Sequence, residues 1–209
     1  MARPPRPSWL YLVVAGLSWP VLKTLFRHRA TGVENVPRDG GFVLAANHWS
    51  NLDPWALAMT LFPRRFLRFM AKSELFWFPL GTIITAAGAF PVRRGERDDE
   101  AIETAVGLVR QGHVVVMFPE GTRRRKGIRK RHEARWHSGA ARIAIEAGVP
   151  LVPAGIAGTN RLARLGPLRV RYGSPIELAD LVELPASEAA QTATDRLRDA
   201  IAELERTLS

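Results

Sequence analysis

One stretch of this sequence constrains the fold more than any other: residues 113–118 read HVVVMF. Every side chain after the first is apolar, and three consecutive valines are β-branched, which is typical of a strand buried on both faces. Strands of this kind occur mainly in parallel sheets whose two faces are covered by helices. The stretch therefore predicts a layered α/β fold.

Other short apolar runs alternate with helical patterns along the chain, as such a sheet requires. Further strands are predicted at residues 42–47, 65–71, 90–94, 149–156 and 168–173. Helices are predicted after a cap at Asp53, before Gly112, at residues 139–147 and, as an amphipathic C-terminal helix, from about residue 187. With 209 residues, 46% of them hydrophobic, the chain is long enough for one core. We expect a single layered domain with a mixed, largely parallel central sheet flanked by helices.

The chain is strongly basic, with 30 Lys and Arg against 20 Asp and Glu and a formal net charge of +10. Eight of these bases lie between Arg123 and Arg135. Such a charge indicates a polyanionic partner: a nucleic acid, an anionic membrane surface or a phosphorylated substrate. Residues 123–135 contain no aromatic side chain that could stack on nucleic-acid bases. We therefore expect no nucleic-acid partner, and the outer bases of this loop are either solvated or bind lipid headgroups or substrate phosphates.

The N-terminal region is predicted to associate with a membrane. Residues 9–26 are mostly apolar, but Pro20 and Lys23 interrupt the run, and about 20 apolar residues are needed to cross a bilayer. A helix lying in the interface is favoured over a spanning one, with a secretory signal and a core helix as alternatives. The flanking bases would favour an anionic surface: Arg3, Arg6, Lys23, Arg27 and Arg29. Residues 1–30 are taken as this interface helix with its basic flanks, and residues 31–209 as the main domain.

The first candidate functional residues are His48 and Asp53, five positions apart in the sequence NHWSNLD. They lie across a predicted turn from strand to helix, so the carboxylate can fold back and accept a hydrogen bond from one imidazole nitrogen. The other nitrogen is then left to accept a proton, and imidazole is the usual general base near neutral pH. Taken alone, a histidine at the end of a strand is more often structural.

The second candidate motif is FPEGTR, residues 118–123, which follows the strongest predicted strand. The carboxyl ends of strands are where open α/β sheets bind ligands. Gly121 would allow a close backbone approach, and the guanidinium of Arg123 could bind phosphate. Glu120 could hold that guanidinium or contact a substrate hydroxyl, and a structural ion pair within the loop is the alternative.

Other catalytic classes lack their motifs in this sequence. The absence of cysteine excludes disulfides, zinc thiolate sites and thiol catalysis. No serine lies in a Gly-x-Ser-x-Gly elbow, and neither nucleotide-binding glycine motif is present. His132 and His137 are five positions apart rather than four, so they would not share a helix face as metal ligands. We expect no metal ion.

Taken together, NHWSNLD (47–53) and FPEGTR (118–123) resemble the motifs of the glycerolipid acyltransferase family, which includes bacterial 1-acyl-glycerol-3-phosphate acyltransferases. Two further blocks are similar to that family: GAFPVRR (88–94) and VPLVPAGI (149–156). In a third block, WHSGAARIAIEAG (136–148), His137 stands where the family usually has lysine. The resemblance covers about residues 30–175.

The resemblance implies that His48 is the general base for an acceptor hydroxyl and that Asp53 orients it. It implies that Arg93 and Arg123 bind the acceptor phosphate, with Glu120, Gly121 and Thr122 also at the substrate. The acyl donor would be acyl-CoA or acyl carrier protein, without a cofactor. The acceptor would be lysophosphatidate, giving phosphatidate, with another lysophospholipid or a glycolipid as the alternative.

The same resemblance places the protein at the cytoplasmic face of the cell membrane, as a peripheral or monotopic protein. Its expected partners are the anionic membrane surface, the lysolipid and the acyl donor. A more distant alternative is a non-catalytic basic protein that binds membranes or nucleic acid.

Overall fold

The computed structural model describes residues 7–92, 98–121 and 136–208. A seven-stranded sheet runs through the molecule in the order β1-β7-β6-β2-β5-β3-β4. Its strands are β1 (Arg29–Thr31), β2 (Phe42–Ala46), β3 (Leu67–Lys72), β4 (Ala89–Val92), β5 (Val114–Met117), β6 (Leu151–Ala157) and β7 (Arg169–Tyr172). The α-helices are α1 (Trp9–Thr24), α2 (Asp53–Leu61), α3 (Leu80–Ala86), α4 (Asp98–Arg110), α5 (Gly139–Ala147) and α6 (Ala186–Leu208). Neighbouring strands are parallel except for β6 and β7, which confirms the predicted mixed, largely parallel sheet.

The core has two layers, one on each face of the sheet, and β2 contributes to both. Phe42, Leu44 and Ala46 pack into the layer beneath α1 and α2. Val43 and Ala45 pack into the layer beneath α4, α5 and α6. Successive side chains of a strand point to opposite faces, and a strand covered on both faces has no solvent-facing positions. This is why β2 and β5 are continuous apolar runs in the sequence.

The structure corrects the predicted strands in two respects. The prediction misses β1, a three-residue edge strand whose polar ends, Arg29 and Thr31, are exposed and which contains no apolar run. The sixth strand begins two residues later than predicted, at Leu151, because the Val149 N–H is bonded to Ala144 O at the end of α5. At the ends that the structure describes, the other predicted strands differ from the observed ones by one or two residues, as strand boundaries commonly do.

The predicted N-terminal helix is present as α1. It lies on the surface and packs on the protein through a narrow stripe of its side chains. Ser8 caps it, since its Oγ accepts the Tyr11 N–H at 3.1 Å. Only Tyr11, Ala15 and Leu22 of this helix are buried, so α1 is not a core helix. Its exposed large apolar side chains are Trp9, Leu12, Val13, Val14, Leu17, Trp19 and Val21. No helix in residues 7–92, 98–121 or 136–208 is both long and apolar enough to cross a membrane.

A buried histidine follows α1 and makes the stability of the fold depend on pH. The Thr60 hydroxyl donates to Ala56 O at 2.9 Å, so it accepts from His28 Nε2 at 3.1 Å. Burial, together with the nearby Lys23 charge, lowers the pKa of His28 from 6.5 to about 4. His28 is therefore neutral in the folded protein, while the unfolded chain binds a proton at a higher pH.

We predict that the contribution of His28 to stability is fully present above pH 6.5 and is lost as the pH falls toward 4. The lowered pKa of His28 corresponds to a contribution on the order of 3 kcal/mol to the free energy of unfolding. Urea unfolding of the wild type and of His28→Gln at pH 7.5 and pH 4 measures this difference. The wild type should lose more stability than the variant, whereas a substitution at the exposed His137, His137→Gln, should follow the wild type. Parallel pH curves for His28→Gln and the wild type would contradict the assignment.

Candidate active site

The two sequence motifs meet at one edge of the sheet. β2 and β5 are parallel neighbours, so the residues that follow each strand leave the sheet at the same edge. The imidazole of His48 stacks on the ring of Phe118, with ring centroids 4.1 Å apart and planes 19° from parallel. NHWSNLD and the start of FPEGTR therefore form one site, at the place where α/β sheets bind their ligands.

Asp53 is the centre of the hydrogen bonding that shapes the loop after β2. Its Oδ2 accepts from His48 Nδ1 at 2.8 Å, from the Trp49 N–H at 2.7 Å and from the Ser50 N–H at 2.8 Å. The side chain of Asp53 is fully buried, whereas that of His48 is 16% exposed. One buried carboxylate thus fixes both the backbone of the loop and the orientation of the ring.

The predicted helix start at this point is wrong by one residue. Asp53 is the first residue of α2, and Leu52 precedes it as the cap. The carboxylate of Asp53 binds the loop amides behind it and the histidine ring, rather than amides of its own helix. The first bond of α2 runs from the Ala56 N–H to Leu52 O at 3.0 Å, so Leu52 rather than Asp53 is the cap.

This arrangement determines which nitrogen of His48 can accept a proton. A carboxylate only accepts hydrogen bonds, so Nδ1 of His48 carries the hydrogen that Asp53 binds. The lone pair of the neutral ring then lies on Nε2, which pairs with no other described side chain or backbone group. His48 is thus a base with one free nitrogen, held in one tautomer by a buried anion.

The turn that begins FPEGTR also has a defined shape. The Gly121 N–H donates to Phe118 O at 3.0 Å, and Gly121 has φ 67°, a left-handed conformation that favours glycine. A Cβ at Gly121 would lie 2.6 Å from Nε2 of His137, so the ring of His137 occupies the space that glycine leaves. Glu120, only 2% exposed, places its carboxylate inside the protein.

His137 is tied to the same turn through its backbone. Its N–H donates to Pro119 O at 2.8 Å, just before α5 begins at Gly139. His137, which stands where the family usually has lysine, therefore packs against the FPEG turn, and its side chain is exposed to solvent.

Three of the predicted site residues lie outside the described part of the chain: Arg93, Thr122 and Arg123. Their proposed contacts with a substrate phosphate stay predictions, as does the substrate-binding role of Glu120 and Gly121. The whole basic loop at residues 123–135 lies outside the described residues as well.

Beside the site, the structure brings together two residues that the sequence analysis does not identify, Asn47 and Glu205. Asn47 is fully buried directly before His48, and its side-chain amide donates to Glu205 Oε1 at 2.9 Å. In the sequence, an asparagine at the end of an apolar strand only weakly indicates a residue of the site. No local pattern indicates Glu205, because it lies 158 residues further along the chain on the amphipathic α6.

Comparison with known proteins agrees with this geometry. The model of the family described as Acyltransferase matches residues 27–157. The chain is 34% identical over 181 residues to the 1-acyl-sn-glycerol-3-phosphate acyltransferase of Bacillus subtilis, covering 84% of this chain and 86% of that protein. It is 28% identical over 196 residues to the protein of the same name from Streptococcus pneumoniae, covering 91% of this chain and 70% of that protein.

A solved structure has the same fold. The crystal structure of the 1-acyl-sn-glycerophosphate (LPA) acyltransferase from Thermotoga maritima superimposes with a TM-score of 0.63 at 24% sequence identity, covering 93% of this chain and 78% of that chain. At this level of identity the likeness supports the fold alone. The family match and the Bacillus subtilis relative show more: this chain belongs to the acyltransferase family and is an acyltransferase.

Proposed function

We propose that the protein transfers a fatty acyl group from a thioester to the free hydroxyl of 1-acyl-sn-glycerol 3-phosphate, forming phosphatidate. The observation that carries this proposal is the His48–Asp53 pair, with Nδ1 and Oδ2 2.8 Å apart and the ring stacked on Phe118. The relatives from Bacillus subtilis and Streptococcus pneumoniae, both named as 1-acyl-sn-glycerol-3-phosphate acyltransferases, support the choice of acceptor.

The chemistry requires one base and no covalent enzyme intermediate. The acceptor hydroxyl gives its proton to Nε2 of His48 as its oxygen attacks the thioester carbonyl carbon. The carbon–sulfur bond of the tetrahedral intermediate then breaks, and the imidazolium returns the proton to the departing sulfur. Asp53 stays ionised throughout and stabilises the imidazolium. The products are the new ester and one free thiol.

The acceptor phosphate needs cations close to the base. We assign this role to Arg93 and Arg123, whose guanidinium groups can bind phosphate through two parallel hydrogen bonds. In the sequence, Arg93 comes directly after the last residue of β4, and Arg123 comes two residues after Gly121. β2, β4 and β5 run in the same direction, which supports the assignment of both arginines to the edge that holds His48. Glu120 and Thr122 are assigned to the same substrate site.

The thiol that leaves belongs to coenzyme A or to acyl carrier protein, and both donors carry phosphate. The basic residues that follow Arg123 in the sequence would attract either donor or anionic lipid headgroups. No cofactor is needed for the reaction as written.

We place the protein at the cytoplasmic face of the cell membrane, bound through its exposed apolar surface. The start of α1 meets the end of α3, a second segment with exposed apolar side chains, because Ser8 Oγ donates to Ala86 O at 3.0 Å. The second segment exposes Leu75, Trp77, Phe78 and Ile83. Large exposed apolar patches of this kind mark interaction surfaces, and a lipid acceptor would be delivered there directly from the bilayer.

We predict that replacing Leu17 and Phe78 by asparagine weakens binding to anionic liposomes by at least about tenfold. Leu17 is 70% exposed and Phe78 is 85% exposed, so the changes remove apolar surface without opening the core. Burial of one such side chain contributes about 1.5–3 kcal/mol. Liposome sedimentation measures the effect, and Val182→Asn, at a site 76% exposed on another part of the surface, is the matched control. Equal binding by the double variant and the control would contradict the proposed membrane face.

The proposed acceptor is tested by thiol release from acyl-CoA with purified protein in detergent. The acceptor panel is lysophosphatidate, glycerol 3-phosphate, lysophosphatidylglycerol and an uncharged glycolipid. We expect turnover that depends on lysophosphatidate. Preference for the uncharged glycolipid would contradict the assignment of Arg93 and Arg123 to an acceptor phosphate.

A further inference from the structure

The side chain of Asn47 is fully buried and makes three hydrogen bonds. Its Oδ1 accepts the Ile156 N–H at 2.7 Å, and its Nδ2 donates to Ile156 O at 2.9 Å. The second hydrogen of Nδ2 is donated to Glu205 Oε1 at 2.9 Å. These partners also fix the orientation of the amide, because a carboxylate only accepts and the Ile156 N–H only donates.

The position of Asn47 explains why these bonds matter for the loop that follows. β2 pairs with β6 up to Ala46, which lies opposite Ala154. Beyond that point the main chain turns away toward His48, and the side-chain amide of Asn47 takes the place of the next peptide group in binding Ile156. The side chain thus anchors the exact point at which the chain leaves the sheet to place the base.

Glu205 reaches this point because α6 lies unusually close to the sheet. A Cβ at Gly155 would lie 2.9 Å from Leu204 Cβ, and one at Gly173 would lie 3.3 Å from Leu204 Cδ1. Glycine at both positions therefore lets the last turns of α6 pack directly on β6 and β7. Leu204 occupies this space, and the next residue, Glu205, is directed at Asn47.

We propose that Glu205 is a positioning residue for acyl transfer, which holds Asn47 and thereby the start of the His48 loop. This inference rests on the proposed function, in which His48 is the base. Glu205 does not touch the reacting atoms in this account; it acts through Asn47. Glu205 Oε1 accepts an amide hydrogen that would otherwise be buried without an acceptor. Displacement of a reacting group by about 1 Å can lower a rate by up to about 100-fold.

The experiment separates the reach of this side chain from its charge. Glu205→Asp keeps the charge but is one methylene too short for the 2.9 Å bond, whereas Glu205→Gln keeps an acceptor oxygen at the same reach and loses the charge. Glu203→Ala is the matched control, because Glu203 lies on the same helix and pairs with the exposed Arg206 at 2.5 Å instead. kcat and KM are measured by thiol release with acyl-CoA and lysophosphatidate, together with Tm for each variant.

We expect Glu205→Asp to lower kcat about tenfold with KM within about twofold of the wild type. Glu205→Gln and Glu203→Ala should retain kcat within about threefold. In the Asn47→Ala background, Glu205→Asp should lower kcat by less than about twofold further, because the residue acts through Asn47.

Three results would overturn the inference: wild-type kcat in Glu205→Asp, loss of kcat in Glu205→Gln while Glu205→Asp stays active, or additive losses in the double variant. Failure of the proposed function is distinguishable from these results. If the wild type itself releases no thiol with any acceptor and either donor, the proposed function fails, and the inference fails with it.

Discussion

Replacing His48 by alanine is expected to lower kcat for acyl transfer by about 10³-fold while leaving the protein folded. A positioned general base contributes about 10²–10⁴-fold to a proton transfer. The ring of His48 is partly exposed and the two core layers do not depend on it, so its removal opens little of the core. Thiol release at saturating acceptor measures kcat, and Tm reports the fold.

The loss should appear in kcat more than in KM, because the base acts on the reacting hydroxyl rather than on the rest of the acceptor. Turnover of His48→Ala within tenfold of the wild type, with Tm preserved, would show that another group takes the proton. That result would exclude His48 as the general base of the mechanism.

Replacing Asp53 by asparagine is expected to lower kcat by about 10²-fold through the loss of charge. The Oδ2 of Asp53 binds three donors, namely His48 Nδ1 and the amides of Trp49 and Ser50. An asparagine would turn its single oxygen toward these donors, so the loop and the histidine tautomer should both be kept. What disappears is the anion that stabilises the imidazolium.

Asp53→Asn and Asp53→Ala should therefore differ in stability. Alanine leaves three buried or half-buried donors without their acceptor, and each unmade bond costs roughly 1–3 kcal/mol. Asparagine preserves these bonds, so its Tm should lie nearer to that of the wild type. Thermal unfolding and thiol release on both variants measure the two effects. An Asp53→Asn variant with wild-type kcat would show that geometry alone, without the charge, is what the base requires.

The elements that could be predicted are those whose own residues specify them. β2 and β5 are buried on both faces, so their apolar runs reveal both their type and their place in the centre of the sheet. The pairing of His48 with Asp53 could also be predicted, because a short turn connects them. The short β1 could not, since its strand conformation comes from pairing with β7 far along the chain.

The parts of the site that escaped prediction depend on contacts between distant segments. The stacking of His48 on Phe118 follows from the neighbouring places of β2 and β5, which no local pattern specifies. Glu205 is brought to Asn47 by the close packing of α6 on the sheet, which depends on Gly155 in β6 and on Gly173 directly after β7. The helix start at Asp53 is wrong in the prediction because a carboxylate before proline resembles a cap, while here it binds the histidine.

The central claim is that His48 activates an acceptor hydroxyl, and the most direct test is the stoichiometry of the reaction. Wild-type protein is incubated with lysophosphatidate and acyl-CoA, and in a parallel reaction with lysophosphatidate and acylated acyl carrier protein. Released thiol is quantified by absorbance, and phosphatidate is quantified by mass spectrometry. We predict one phosphatidate formed for each thiol released, with both absent in His48→Ala. Thiol release without phosphatidate would mean that the site activates water instead, and phosphatidate formed by His48→Ala at the wild-type rate would contradict the account outright.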